Sequence, residues 1–106
     1  MATSRFEMLK QFVEAKPDDC FVRYGLAQEY VNMDPLEDAA AEFDKILEIN
    51  PGYQAAYYHG GQTLQKLGRT ADARARYQQG IEVAGQSGDL HAKSELEAAL
   101  EELPAG

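Results

Sequence analysis

Cys20, His59 and His91 are the side chains best suited to nucleophilic or metal chemistry, and their spacing leaves each of them alone. Neither histidine has a His or Cys three or four residues away, the interval at which one helix face offers two ligands to a metal. They read as surface or groove histidines. Cys20 is the only cysteine, which excludes an intramolecular disulfide and a paired-cysteine metal site and points weakly to a reducing compartment. Asp18 and Asp19 just before it disfavour a thiolate, whereas a helix N-terminus at this point favours one. No partner in the sequence completes a catalytic pair. The Gly60-Gly61 pair lacks the Gly-Lys-Ser/Thr of a phosphate-binding loop and falls inside a helical stretch, and neither a nucleophile elbow nor a zinc-protease helix occurs. The sequence therefore predicts no catalytic residue, no metal site and no cofactor.

Composition narrows the classes further. A chain of 106 residues with 44% hydrophobic and 26% charged residues has the balance of one globular unit. Ser4, Arg5 and Glu7 interrupt the first apolar residues, so a secretory leader is not expected, and no apolar run reaches bilayer length. A cytoplasmic protein without membrane contact is the expectation. The net charge is −8, which repels phosphate backbones. The small basic cluster of Lys66, Arg69, Arg74 and Arg76 lacks the aromatic interleaving of a single-strand binder, so nucleic acid is not an expected partner. The charge is uneven: the stretch 18–51 is strongly acidic and 52–85 is mildly basic. Solvated helix faces account for this, and so does a bipolar surface that steers partners or pairs head to tail.

The elements that must position any site follow from helical spacing and chain breakers. Ser4 and Glu7 form a capping box before a short amphipathic helix carrying Phe6, Leu9, Phe12 and Val13 and ending at Pro17. Phe21, Val22, Leu26, Ala27, Tyr30 and Val31 support a second helix from Asp19 to Met33. Asp34 then serves as a cap, with Pro35 in the first helical position and Glu37 closing the box, for a third helix lined by Ala39, Ala40, Phe43, Ile46, Leu47 and Ile49. A fourth runs from about Tyr53 to Leu67 and stops at Gly68. Thr70 caps a fifth through Ala73, Tyr77, Ile81 and Ala84, a loop spans Gly85 to Gly88, and Asp89 opens a last, largely polar helix. No strand is expected.

Pro17, Pro51 and Gly85 stand at a constant spacing of 34 residues. Superposing the two periods puts Ala27 on Gly61, Tyr30 on Leu64, Asp34 on Gly68, Ala39 on Ala73, Phe43 on Tyr77 and Ile46 on Gly80. Small residues at Ala27, Gly61, Ala39 and Ala73 let antiparallel helices approach closely, and Tyr30, Phe43, Leu64 and Tyr77 fill the space between successive hairpins. A lone hairpin could not bury such a face, so neighbours must stack.

On these residues the chain resembles the tetratricopeptide-repeat (TPR) family, whose unit is 34 residues long. Leu26, Ala27, Tyr30, Ala39, Phe43 and Pro51 fall on its pattern in the first unit, with Arg23 where Trp is usual. Tyr57, Gly61, Leu64, Gly68, Ala73 and Tyr77 fall on it in the second, with Gly60 for Leu and Gly85 for Pro. The stretches Phe21 to Tyr30 and Gly80 to Ala84 resemble a group of small bacterial members. The resemblance implies an all-α solenoid of about six helices spanning 1–106. Its parts are an N-terminal half-repeat helix (4–16), repeat one (18–51), repeat two (52–85) and a C-terminal capping helix (89–103) that solvates the end of the stack.

What the resemblance implies for function is a non-catalytic adaptor that takes a peptide or helix of a protein partner in a concave groove. By resemblance the groove residues are Tyr24, Gln28, Tyr58, His59, Gln62 and Lys66; tyrosines and amides suit peptides by joining flat apolar area to hydrogen-bonding tips. Tyr24 and Tyr58 could instead serve only to pack neighbouring helices. The family's clamp for a terminal carboxylate needs Lys and Asn where Tyr24, Gln28 and His59 stand, so such a clamp is not implied. The alternative role is a structural one, a homodimer whose short stack is completed by a second copy. Gly60 leaves room where a leucine would fill the core, either taken up by tyrosine side chains or open to a partner's side chain, and loosens the second hairpin.

Overall fold

Local capping decides where three of the six helices begin. In a computed structural model describing residues 4–105, Ser4 Oγ accepts from the Glu7 amide at 3.1 Å and starts α1 (Arg5–Ala15). Asp19 accepts from the Val22 amide at 3.2 Å and starts α2 (Cys20–Met33), and Asp89 accepts from the Ala92 amide at 3.0 Å and starts α6 (Leu90–Glu102). Each side chain satisfies an amide that the first helical turn leaves without a partner. Between them lie α3 (Leu36–Ile49), α4 (Gln54–Lys66) and α5 (Thr70–Ser87), whose starts have no side-chain cap. Six helices and no strand are present among the described residues.

Three local expectations are corrected. Asp34 does not cap α3: it takes a left-handed conformation, φ 80°, and ends α2, which puts Pro35 outside α3 instead of in its first turn. Gly68 holds the same conformation, φ 79°, one period later; a left-handed residue is the usual helix stop, and Asp is among the few side chains that tolerate it. Thr70 is the first residue of α5 and not its cap, which falls on Arg69. The expected loop over Gly85 to Gly88 is largely helix, because α5 continues to Ser87 and ends at Gly88, φ 77°. Gly85 occupies the place of Pro51 but has a backbone N–H and no ring, so nothing forces the helix to stop there.

Packing follows the alternation of small and large residues. Ala27, Ala39, Ala56, Ala73 and Ala84 are fully buried and set the close approach, while Phe43, Ile46, Tyr77 and Leu96 fill the core. A Cβ on Gly61 would lie 2.7 Å from Cδ1 of Tyr77, and one on Gly80 would lie 2.6 Å from Cβ of Tyr57. The large residue at one place thus demands glycine at the other. Gly60 is covered too, with Phe43 Cβ 3.2 Å from the position of its missing Cβ. The space left by the absent leucine is closed by Phe43 rather than by tyrosines, and no opening remains for a partner's side chain.

Successive helices pack on one another in sequence order, and α6 also touches α4. At the N-terminal end α1 buries none of its residues. It is held by Leu9 against Gly25, by an edge-to-face contact of Phe6 with Tyr30 (centroids 5.3 Å) and by the Arg5–Glu29 ion pair.

The uneven charge is in part internal. Arg76 reaches Asp44 at 2.7 Å and Arg69 reaches Glu37 at 2.6 Å, so the basic second hairpin is tied to the acidic first one.

Candidate functional site

The inner faces of α2 and α4 meet at Tyr24 and His59, whose ring centroids lie 5.7 Å apart. Tyr24 also packs against Phe43 and Tyr53, and Tyr58 makes an edge-to-face contact with His59 at 5.2 Å. Tyr24, Tyr58 and His59 are half-buried, packed on one side and open on the other, which joins the two uses of Tyr24 and Tyr58 that the sequence leaves open. Gln28 Nε2 donates to Tyr24 Oη at 2.9 Å, one helical turn away, and fixes the phenol. Burial pushes the pKa of His59 below its ordinary value, with Glu95 acting in the opposite direction. A neutral imidazole at pH 7 suits an aromatic patch.

The other two sequence-derived groove residues stand apart. Gln62 and Lys66 line a separate depression of about 430 Å³ toward the C-terminal end of α4, with Gln65 and Glu102. The structure therefore divides the six expected residues into an aromatic group, Tyr24, Gln28, Tyr58 and His59, and a polar pair.

Sequence reasoning missed the contribution of α6. A cavity of about 270 Å³ between α4 and α6 is lined by Tyr58 and His59 on one side and by His91 and Glu95 on the other. His91 Nε2 lies 3.0 Å from Glu95 Oε1. The i, i+4 spacing of this pair and the near-constant interval between the starts of α2, α4 and α6 were available signals. They place α6 as a third inner helix, although its polar composition reads as solvation of an end.

A larger recess, about 540 Å³, lies on the opposite side between α3 and α5. Part of its charged wall is engaged by the Asp44–Arg76 pair, and Tyr57 there spends its hydroxyl on the Pro51 carbonyl at 2.6 Å. The half-exposed rings lie on the inner side, which we regard as the better candidate.

Cys20 is not part of either face. Burial first, then Asp19, pushes its thiol pKa up, and Sγ points at the Ile46 carbonyl at 3.8 Å. No group of three or more His, Cys, Asp or Glu side chains able to hold a metal occurs among the described residues.

Comparison with known proteins settles the family. The tetratricopeptide-repeat family model matches residues 34–100. The chain belongs to the TPR family. A TPR repeat-containing protein of Pseudomonas aeruginosa is 30% identical over 97 residues, 92% of each chain. The solution structure of a TPR domain protein from Salinibacter ruber is 44% identical, with a TM-score of 0.76 over 80% of this chain and 86% of that one. The type III secretion translocator chaperone SycD of Yersinia enterocolitica shares the fold at 13% identity, with a TM-score of 0.83 over 91% of this TPR chain and 67% of its own.

Proposed function

We propose that this TPR protein is a non-catalytic interaction module that receives a peptide or helix of a protein partner on the inner face formed by α2, α4 and α6. The observation that carries the reading is the run of half-exposed aromatic and amide side chains, Tyr24, Gln28, Tyr58 and His59, gathered on that face and held in place by the packed hairpins. Flat rings with polar tips bind peptides at a low entropic cost because few of their torsions are frozen on docking. The likeness in fold to a protein named as a chaperone is consistent with a protein partner. The acidic chain disfavours nucleic acid, no helix among the described residues is long and apolar enough to cross a membrane, and the cytoplasm is the proposed setting. The units 18–51 and 52–85, with α1 as a preceding half-unit, frame the surface.

Replacing Tyr58 and Gln62 by Ala together tests the face. Capture of the partner from the native cytoplasm should be lost while helical circular dichroism is unchanged. Retained capture would move the site to the outer face or an end helix.

A second reading, a homodimer that completes the stack with another copy, is favoured by the exposed Met8, Phe12 and Phe21 near the N-terminal end. Light scattering decides it: a mass that rises with protein concentration supports the dimer, and a constant monomer mass removes it.

A further inference from the structure

Each hairpin of the stack pairs an inner helix with the outer helix that follows it, α2 with α3 and α4 with α5. Two described helices stand outside such a pair. α1 is of the outer kind, since Phe12 precedes Ile46 of α3 by one 34-residue period, and no inner helix precedes it among the described residues. α6 is of the inner kind, with Leu96 buried at the place held by Leu26 in α2 and Gly60 in α4, and no outer helix follows it among the described residues. The two unpaired helices are the two halves of one hairpin.

Contacts inside the existing hairpins give the residues that meet when α6 of one copy lies against α1 of another. Cys20 opens α2 and turns its Sγ to the Ile46 carbonyl at 3.8 Å. Leu90 opens α6 at the same place and is 73% exposed, and Phe12, at the place of Ile46, is exposed as well. Beside Phe12 lies a cavity of about 350 Å³, lined also by Ala15, Lys16, Asp19 and Val22, with room for a leucine side chain. Removing Leu90 and Phe12 from water together is favourable. Arg23 meets Glu42 in the first hairpin, and Tyr57 meets Gly80 in the second. The same places at the joint hold Lys93 on one copy and Met8 and Phe12 on the other, where the methylene stem of a lysine covers apolar surface.

The last pair of places decides the occupant. Small residues set the close approach in both hairpins, Ala27 and Ala39 in the first, Gly61 and Ala73 in the second. At the joint these places carry Glu97 on α6 and Arg5 on α1, both exposed. Each is too long and too charged for the contact its counterpart makes, and each is complementary to the other. Arg5 Nε holds Glu29 at 2.9 Å, and its terminal nitrogens make no hydrogen bond among the described residues, so a second carboxylate can be taken. The wider charge agrees: α6 carries four glutamates against one lysine, whereas the α1 end carries Arg5, Lys10 and Lys16 against Glu7 and Glu14.

We propose that a second copy of this chain is the partner of the N-terminal end: α6 of one molecule docks on α1 of the next, seating Leu90 beside Phe12 and Glu97 against Arg5, and closes a full hairpin between them. This rests on the second functional reading, self-association of the chain, and gives it a head-to-tail geometry. Such a joint uses a different face on each partner, leaves one of each free and adds further copies instead of stopping at two. With an exposed ion pair in it, the joint is weak and salt-sensitive.

Sedimentation velocity of the intact protein at rising concentration, in low and high salt, tests it. The mean mass should climb past two copies and fall back with salt. Arg5→Glu and Glu97→Arg should each weaken association by roughly fivefold with native circular dichroism. An equimolar mixture of the two variants should recover it, because the α1 of each then faces a complementary α6. Leu90→Ser, at an exposed position outside the core, should weaken it too. A monomer mass at every concentration, or a mixture no stronger than either variant alone, overturns the joint. A mass that stops at two copies and ignores Glu97→Arg also overturns it, while leaving a dimer through α1 and the second reading in place. The inner-face groove stands or falls separately, on Tyr58→Ala with Gln62→Ala.

Discussion

A methyl group added at Gly61 has nowhere to go. Its carbon would fall 2.7 Å from Tyr77 Cδ1 and 2.8 Å from Cζ, and that ring is fully buried with its hydroxyl on Gln65 Oε1 at 3.2 Å. Gly61→Ala gains about 0.8–1 kcal/mol of helix propensity but overpacks a tight site at roughly 1–3 kcal/mol. A net loss of about 1 kcal/mol is expected in urea unfolding. Gly60→Ala differs, since its carbon meets Phe43 Cβ at 3.2 Å, which a shift of a few tenths of an ångström relieves. Its stability should stay within about 0.5 kcal/mol of the parent, and an equal loss in both variants would show that α3 cannot give way.

The same burial makes Tyr77 a probe of alkaline unfolding. Its pKa is pushed up to about 12 by burial, with Tyr58 and Glu102 adding to the rise. Below about pH 10 the phenol is protonated in both folded and unfolded chains. Between there and about 12 the unfolded chain loses the proton first, so stability falls with rising pH across that window. Tyr77→Phe should flatten part of the fall in melting temperature measured by circular dichroism, and an identical slope in the variant would contradict this origin. Burial also raises Tyr30, Tyr53 and Tyr57, so part of the slope should persist.

At the scale of elements, the two hairpins solve one problem with different residues. Arg23 Nε donates to the Pro17 carbonyl and Tyr57 Oη to the Pro51 carbonyl, each six residues back and each at 2.6 Å. The aromatic residue usual at this place and the arginine both tie the start of their helix to the preceding turn. Arg23 also binds Glu42 Oε1 of α3 at 2.8 Å, with only 11% and 18% of the two side chains exposed. Removing one partner of so enclosed a pair strands the other, and Arg23→Met should cost about 2–3 kcal/mol. Arg76→Met, which frees Asp44 at the surface, should cost at most about 1 kcal/mol. Comparable losses in urea melts would refute the distinction.

Arg23 also shows what could be read from sequence and what could not. Its departure from the family pattern is visible in the sequence, but its two acceptors come from a turn and a neighbouring helix whose approach only packing reveals. The helix order and the small-and-large alternation were legible because they depend on local spacing. Asp34 was misread because Asp before Pro suits both a helix stop and a helix start, and only its left-handed φ decides. At the candidate site, Tyr24, Tyr58 and His59 were named through the family resemblance, and the structure brings their rings together. Asp89, His91 and Glu95 were not, because a polar end helix looks like solvation until α6 is seen against α4.

At the scale of the whole molecule, a stack measuring 47 × 29 × 20 Å is close to one-dimensional, and its stability is a sum over neighbouring interfaces. The interfaces are unequal. α4 and α5 carry Tyr57, Gly61, Leu64, Ala73, Tyr77 and Ala84 into the core and are flanked on both sides, by α3 and by α6. α1 packs mainly on α2 and leaves Met8 and Phe12 exposed at 44% and 51%. An opening that releases α1 exposes little apolar surface, whereas one that parts α4 from α5 exposes the aromatic core. Native-state hydrogen exchange should therefore show a gradient, with α1 amides exchanging by local fraying and those of α4 and α5 only on global unfolding. Gly60 sharpens the test, since a hairpin loosened there would place amides around it below those around Leu26. Protection that is uniform from α1 to α6 would mean the stack unfolds as one unit, and the inner face would then be no firmer beside α4 than at its N-terminal end.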